Sequence, residues 1–137
     1  MSQAQEGDGC SLLLACDEDV VRLRKAVREN MIHCGFSLID QTKMITAASE
    51  LARNALRYAD GGTAFIETLK KEGKPGILVS ISDKGPGIDD VELALTDGFT
   101  TGGGLGLGLS GAKRLTSEFS LDTKRGEGTT VTIVKWK

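Results

Sequence analysis

Glu50 and Asn54 stand four positions apart in Thr46-Ala-Ala-Ser-Glu50-Leu-Ala-Arg-Asn54-Ala-Leu-Arg57-Tyr58-Ala59. The stretch is rich in alanine and leucine and reads as helix, so the carboxylate and the amide stack on one face. Arg57 lies near the same stripe, while Leu51, Ala52, Ala55, Leu56 and Ala59 fill the opposite side. Such a pair can do two jobs. The carboxylate can accept a proton from an attacking hydroxyl or water. The amide oxygen is a neutral, hard ligand suited to Mg²⁺. Taken alone, the same spacing also describes a solvated polar stripe closed by a Glu50–Arg53 or an Asn54–Arg57 pair.

Asp83-Lys84-Gly85-Pro86-Gly87-Ile88 follows an apolar run directly. An aspartate at a strand end can accept a hydrogen bond from an exocyclic amine such as that of adenine. Gly85 and Gly87 would let the backbone approach a flat ring. A plain turn fits these residues equally well. Gly102-Gly103-Gly104-Leu105-Gly106-Leu107-Gly108-Leu109-Ser110-Gly111 is more specific, with five glycines in residues 102–108. Successive backbone N–H groups leading into a helix make an anion site fit for phosphates. Gly106-x-Gly108-x-x-Gly111 also matches the dinucleotide-binding pattern, but that pattern requires a hydrophobic strand before it and a βαβ unit after it. Here Thr96-Asp-Gly-Phe-Thr-Thr-Gly102 precedes it and a hairpin pattern follows. No G-x-x-x-x-G-K-[ST] occurs. Gly126-Glu127-Gly128-Thr129-Thr130, before the last apolar run, could support the base side of a pocket or be an ordinary hairpin turn.

The elements that must carry these residues alternate in type. Ser11–Cys16 reads as a strand. Asp17 caps a helix over about 18–34, whose apolar stripe is Val20, Val21, Leu23, Val27 and Met31. Gly35 stops it, and Ser37 or Asp40 opens a second helix that Asp60-Gly61-Gly62 breaks. Strands follow over Thr63–Leu69 and Ile77–Ser82, joined by the hairpin loop Lys70–Pro75. A short helix is expected over 89–95, a long one over 107–118, then strands over Phe119–Lys124 and Thr129–Lys135. The economical architecture is an α/β (α+β) two-layer sandwich: one mixed, mostly antiparallel sheet covered on one face by about three helices. Residues 1–9 read as a disordered lead and residues 10–137 as one domain.

Glu-x-x-x-Asn, Asp-x-Gly-x-Gly, Gly-x-Gly-Leu-Gly-Leu and Gly-x-Gly-Thr-Thr occur in this order over residues 50–130. The series resembles the four boxes of the Bergerat-type (GHKL) ATP-binding fold, shared by gyrase B, Hsp90, MutL and histidine kinases. Within it, the chain looks most like the anti-sigma-factor serine/threonine kinases, in particular the stressosome switch kinases. The runs that carry this likeness are Glu50–Ala59, Gly104–Arg114, Gly126–Val131 and Lys135-Trp136-Lys137. The resemblance implies ATP and Mg²⁺ as cofactors, with Glu50 as general base and Asn54 as the Mg²⁺ ligand. Asp83 would take the adenine amine over Gly85 and Gly87. Gly104, Gly106, Leu107, Gly108 and Leu109 would surround the phosphates, and Thr129 would support the base.

The implied substrates are STAS-domain scaffold and antagonist proteins of the RsbS and RsbR kind. The implied second partner is a PP2C-type phosphatase of the RsbU kind. Directly sigma-binding relatives often carry a polar residue and an arginine before the third box, where this chain has Thr100-Thr101-Gly102, so no lid arginine is carried over. Two other readings share the boxes: a partner-switching anti-sigma module for which ATP is structural, and the ATPase domain of a histidine kinase.

Composition sets the outer bounds. Lys plus Arg total 17 against 19 Asp plus Glu, a net charge of −2 that argues against binding nucleic acid by bulk charge. Aromatics make up 4% of residues, so the core must be aliphatic. Cys10, Cys16 and Cys34 form no C-x-x-C and read as small buried hydrophobes in a reducing compartment. No apolar run approaches the roughly 20 residues needed to cross a bilayer, so a cytoplasmic protein with no membrane partner is expected.

Overall fold

The computed structural model describes residues 9–85, 108–124 and 126–137. Strand β1 spans Gly9–Leu14, helix α1 Asp17–His33 and helix α2 Leu38–Ala59. Strands β2 (Gly62–Lys71) and β3 (Lys74–Asp83), helix α3 (Gly108–Leu115) and strands β4 (Glu118–Lys124) and β5 (Gly128–Trp136) follow. The short helix expected over 89–95 lies outside the described residues.

The sheet order is β1-β2-β3-β5-β4. Every ladder in it is antiparallel, so the sheet is not mixed. Connectivity gives the reason. Two helices, an out-and-back pair, join β1 to β2 and return the chain antiparallel. β3 and β4 do run in the same direction, but β5 inserts between them and pairs with both.

Period-two alternation places Leu14, Ala64, Ile66, Ile77, Val79, Ile81, Val131 and Ile133 on one face, all at most 5% exposed. Against them pack Leu23, Val27 and Met31 of α1, and Met44, Ala48, Leu51, Ala52 and Ala55 of α2. α2 lies centrally, touching both α1 and α3. The opposite face carries the hydroxyl pairs Ser80–Thr132 at 3.1 Å and Ser82–Thr130 at 3.0 Å. Trp136 lies over Gly76 on that face and donates its indole N–H to Glu118 Oε2 at 2.6 Å.

Local chemistry set the element ends. The cap of α1 is Cys16, one residue before the expected Asp17, because Asp19 reaches back to accept the backbone N–H groups of Ala15 (2.8 Å) and Cys16 (3.2 Å). Ser37 caps α2, its hydroxyl accepting Asp40 N–H at 3.1 Å. Asp60, with φ 60°, ends α2 in the left-handed conformation. The loop expected over Lys70–Pro75 tightens to two residues, Glu72 (φ 53°) and Gly73 (φ 82°), the all-positive turn that matches strand twist. α3 ends at Leu115 rather than near 118, because Ser117 N–H already bonds to Val134 O at 2.8 Å and Glu118 enters β4. The cysteines overturn their expected burial: Cys10 on the edge strand and Cys16 at the helix cap are exposed, Cys34 is half-buried, and all are free thiols.

Candidate active site

The middle of α2 is pinned by its apolar side. Leu51, Ala52 and Ala55 are at most 2% exposed, which turns Glu50 and Asn54 together to the opposite, half-buried side. Of the two side-chain pairs that the sequence allowed on this stripe, the ion pair Glu50–Arg53 forms, at 3.2 Å. It occupies one carboxylate oxygen, and at 44% exposure Arg53 can swing away. The Asn54 amide makes no hydrogen bond among the described residues.

A second group of residues gathers at the end of the sheet. Asp83 closes β3, and the β3–β5 register sets it directly opposite Thr129, on the helix-facing side. Asp83 Oδ1 accepts the N–H of Gly85 at 2.9 Å, while Oδ2 accepts none from the described residues. Thr129 is 9% exposed. Both residues also border a hollow of about 250 Å³ with Asp122, Lys124, Glu127, Gly128 and Thr130; Asp122 and Thr130 pair on the opposite face of the sheet, so this hollow is not the helix-facing site.

Two glycines permit this convergence. A Cβ on Gly85 would lie 2.5 Å from Ala59 Cβ, so Gly85 is constrained first by the end of α2. A Cβ on Gly128, whose φ is 119°, would lie 2.1 Å from Asp83 O. The second and fourth motifs therefore meet backbone against backbone.

Gly108 is the first residue of α3, and Leu109 packs against the core instead of standing free in a loop. Ser110 and Ala112 are buried, at 4% and 1% exposure. Gly87, Gly104, Gly106 and Leu107 lie outside the described residues, as do Leu95 and Phe99. Among the described residues, no group of three or more His, Cys, Asp or Glu is placed to hold a metal ion. A Mg²⁺ ion bound mainly by phosphates and water needs only one or two protein oxygens, and the uncommitted Asn54 amide fits that demand. The uncommitted Asp83 oxygen likewise fits an exocyclic amine.

Sequence reading missed Thr123. The β4–β5 register puts it opposite Thr129, with the two hydroxyl oxygens 2.8 Å apart. Counting strand positions outward from residues 125–128 as the turn pairs Thr123 with Thr130 instead, because Gly128 belongs to β5 and pairs with Lys124.

Residues 39–137 match the family described as Histidine kinase-, DNA gyrase B-, and HSP90-like ATPase. The chain belongs to this ATPase family. Its nucleotide is accordingly ATP, and the expected Bergerat-type architecture holds for the described elements. The chain is 46% identical over 118 residues to "Serine/threonine-protein kinase RsbT" of Bacillus subtilis, covering 86% of this chain and 89% of the relative. It is 28% identical over 127 residues to "Anti-sigma F factor" of Lysinibacillus sphaericus, covering 89% and 87%.

Solved structures agree on the fold of this ATPase. The RsbU and RsbW domains of Rv1364c from Mycobacterium tuberculosis superpose with a TM-score of 0.63 at 22% identity, over 94% of this chain and 33% of that one. The mycobacterial sensor histidine kinase MprB gives 0.56 at 19% identity, over 93% and 96%. Among the described residues, no helix is long and apolar enough to cross a membrane.

Proposed function

We propose that this chain is a protein-serine/threonine kinase that transfers the γ-phosphoryl group of Mg-ATP to a hydroxyl on a STAS-domain protein. The observation that carries this reading is the 46% identity over 89% of the length of RsbT, itself named a serine/threonine kinase. The site chemistry supports it. A carboxylate and an amide share one helix face, and Asp83 and Thr129 stand opposite each other at the sheet end.

In this reading residues 10–137 form one cytoplasmic kinase domain. Asp83 Oδ2 accepts the adenine amine, Thr129 supports the base, and Gly85 and Gly87 lie under the ring. Asn54 holds Mg²⁺, while Gly104, Gly106, Leu107, Gly108 and Leu109 surround the phosphates. Bound Mg-ATP supplies an electrophilic phosphoryl group whose charge the ion partly neutralises. Glu50, released from Arg53 or using its second oxygen, accepts the proton of the attacking serine or threonine hydroxyl. The partners are RsbS- and RsbR-like STAS proteins as substrates and an RsbU-like PP2C-type phosphatase as the switched partner. Incubation with Mg-ATP and such a STAS protein, followed by mass spectrometry, should reveal phosphoserine or phosphothreonine. No transfer by active, ATP-binding protein would reject the reading.

A second reading has one observation behind it, the 28% identity to an anti-sigma factor. There the chain would bind its partner in a nucleotide-dependent way without needing Glu50. Partner binding and phosphoryl transfer, measured side by side on Glu50→Ala, separate the two.

A further inference from the structure

Strand alternation turns Lys135 of β5 to the helix-facing side, with Val131 and Ile133. There its Nζ donates to the carbonyl of Leu115, the last residue of α3, at 3.3 Å. The same Nζ lies 3.8 Å from Asp40 Oδ1, in the first turn of α2. The Lys135 side chain is only 13% exposed. An ammonium so far out of water is held there by its partners, because burial penalises an unpaired charge. The helix ends suit the pairing: the last carbonyls of α3 carry partial negative charge, and the first N–H groups of α2 carry partial positive charge that favours Asp40. Lys135 thus ties the C-terminus of α3 to the N-terminus of α2.

This tie sets how the two helices run. α3 packs on α2. With its last residue beside the first turn of α2, it runs back along that helix. Gly108 stands about 10 Å from Leu115 along α3, and Glu50 about 15 Å from Asp40 along α2, at 1.5 Å per residue. The start of α3 is therefore turned toward the stretch of α2 that carries Glu50 and Asn54. Leu109, Ala112 and Leu115 pack α3 on the core. Apolar packing is non-directional, so it resists separation more than sliding. Directional restraint comes from polar contacts at the far end, the Ser117 N–H on Val134 O and the Lys135 ammonium on Leu115 O.

We infer that Lys135 is a positioning residue for the nucleotide's phosphates: by fixing α3 against α2, it sets the distance between the start of α3 and the Asn54 amide. The inference rests on the reading of Gly108 and Leu109 as phosphate-side residues and of Asn54 as the Mg²⁺ ligand. The base side should not feel its loss, because Thr129 stands near the other end of β5, about 20 Å from Lys135 along the strand.

The test is calorimetric titration of the full chain with Mg-ATP and with AMP, which share the base and differ in the β- and γ-phosphates. Wild type should prefer Mg-ATP. Lys135→Met keeps most of the stem and removes the ammonium. It should weaken Mg-ATP about tenfold, the worth of one charged hydrogen bond at the phosphates, and leave AMP within about twofold. Lys135→Arg, which keeps the charge and its donors, should retain the wild-type preference. Asp40→Asn, which spares the bond to Leu115, should shift the ratio the same way by about two- to threefold, and it carries the test if the methionine variant does not fold. A purely structural role would weaken both nucleotides together and leave their ratio unchanged, and that result overturns the inference. So does a folded methionine variant that binds Mg-ATP as wild type does. A wild type that binds AMP as tightly as Mg-ATP would reject the phosphate-side reading, and this inference with it.

Discussion

Gly128→Ala, set beside Gly126→Ala, isolates the contact that joins the second and fourth motifs. Gly128 opens β5 and Gly126 lies in the turn before it, both with positive φ, 119° and 79°. A methyl on Gly126 would meet nothing within 4 Å, whereas one on Gly128 would lie 2.1 Å from Asp83 O and 2.9 Å from Lys84 Cα. Gly126→Ala should therefore cost only backbone strain, about 1–2 kcal/mol. Gly128→Ala bears similar strain plus forced separation of two backbones, about 1–3 kcal/mol more. The total of about 2–5 kcal/mol is a large share of the roughly 5–15 kcal/mol that holds a domain together.

The forced movement falls on Asp83 and Thr129, so ATP affinity should drop about tenfold or more as a charged hydrogen bond is lost. Urea unfolding followed by circular dichroism gives the first quantity, and calorimetric titration with ATP the second. Equal destabilisation by the two variants, together with wild-type ATP binding by Gly128→Ala, would refute the reasoning.

Two further outcomes follow from single side chains. Asp83→Asn can keep the bond to Gly85 N–H through its amide oxygen, but it turns a donor toward the base; ATP binding should weaken about tenfold or more, read by titration, while the urea midpoint stays close to wild type. Asp19 is held below the usual carboxylate range first by the Ala15 N–H, with Cys16 and Arg22 adding to it. A depressed folded-state pKa means that the unfolded chain binds the proton more readily. The stabilisation is therefore full above about pH 4 and is lost as pH falls through the folded value. Denaturant midpoints should show Asp19→Asn less stable than wild type at neutral pH, with the gap closing under acid.

Much of the site was legible because its parts are local. Spacing four along a helix put Glu50 beside Asn54, and the apolar residues between them fixed which way the stripe turned. Turn chemistry marked Asp60 and Gly73 as ends. What stayed hidden depends on pairing across the sheet. Nothing in the residues around Asp83 announces Thr129 as its neighbour, because the β3–β5 ladder joins segments distant in the chain. The same pairing made the sheet wholly antiparallel, and it gave Gly128 a role that a plain turn would not require. Cys16 was misjudged because the capping arrangement of α1 leaves the side chain of the capping residue exposed, whatever its hydrophobicity. Asp19, three positions into the helix, carried the signal for that cap.

The central claim is that Glu50 moves a proton while other residues bind the nucleotide. Its most direct test is Glu50→Gln, which keeps the shape of the side chain and removes its basicity. Titration with Mg-ATP should give a Kd within about twofold of wild type, while the rate of phosphoryl transfer to serine or threonine of a STAS-domain protein falls by about 10²–10⁴. Transfer that survives at the wild-type rate, with ATP binding intact, would contradict the account.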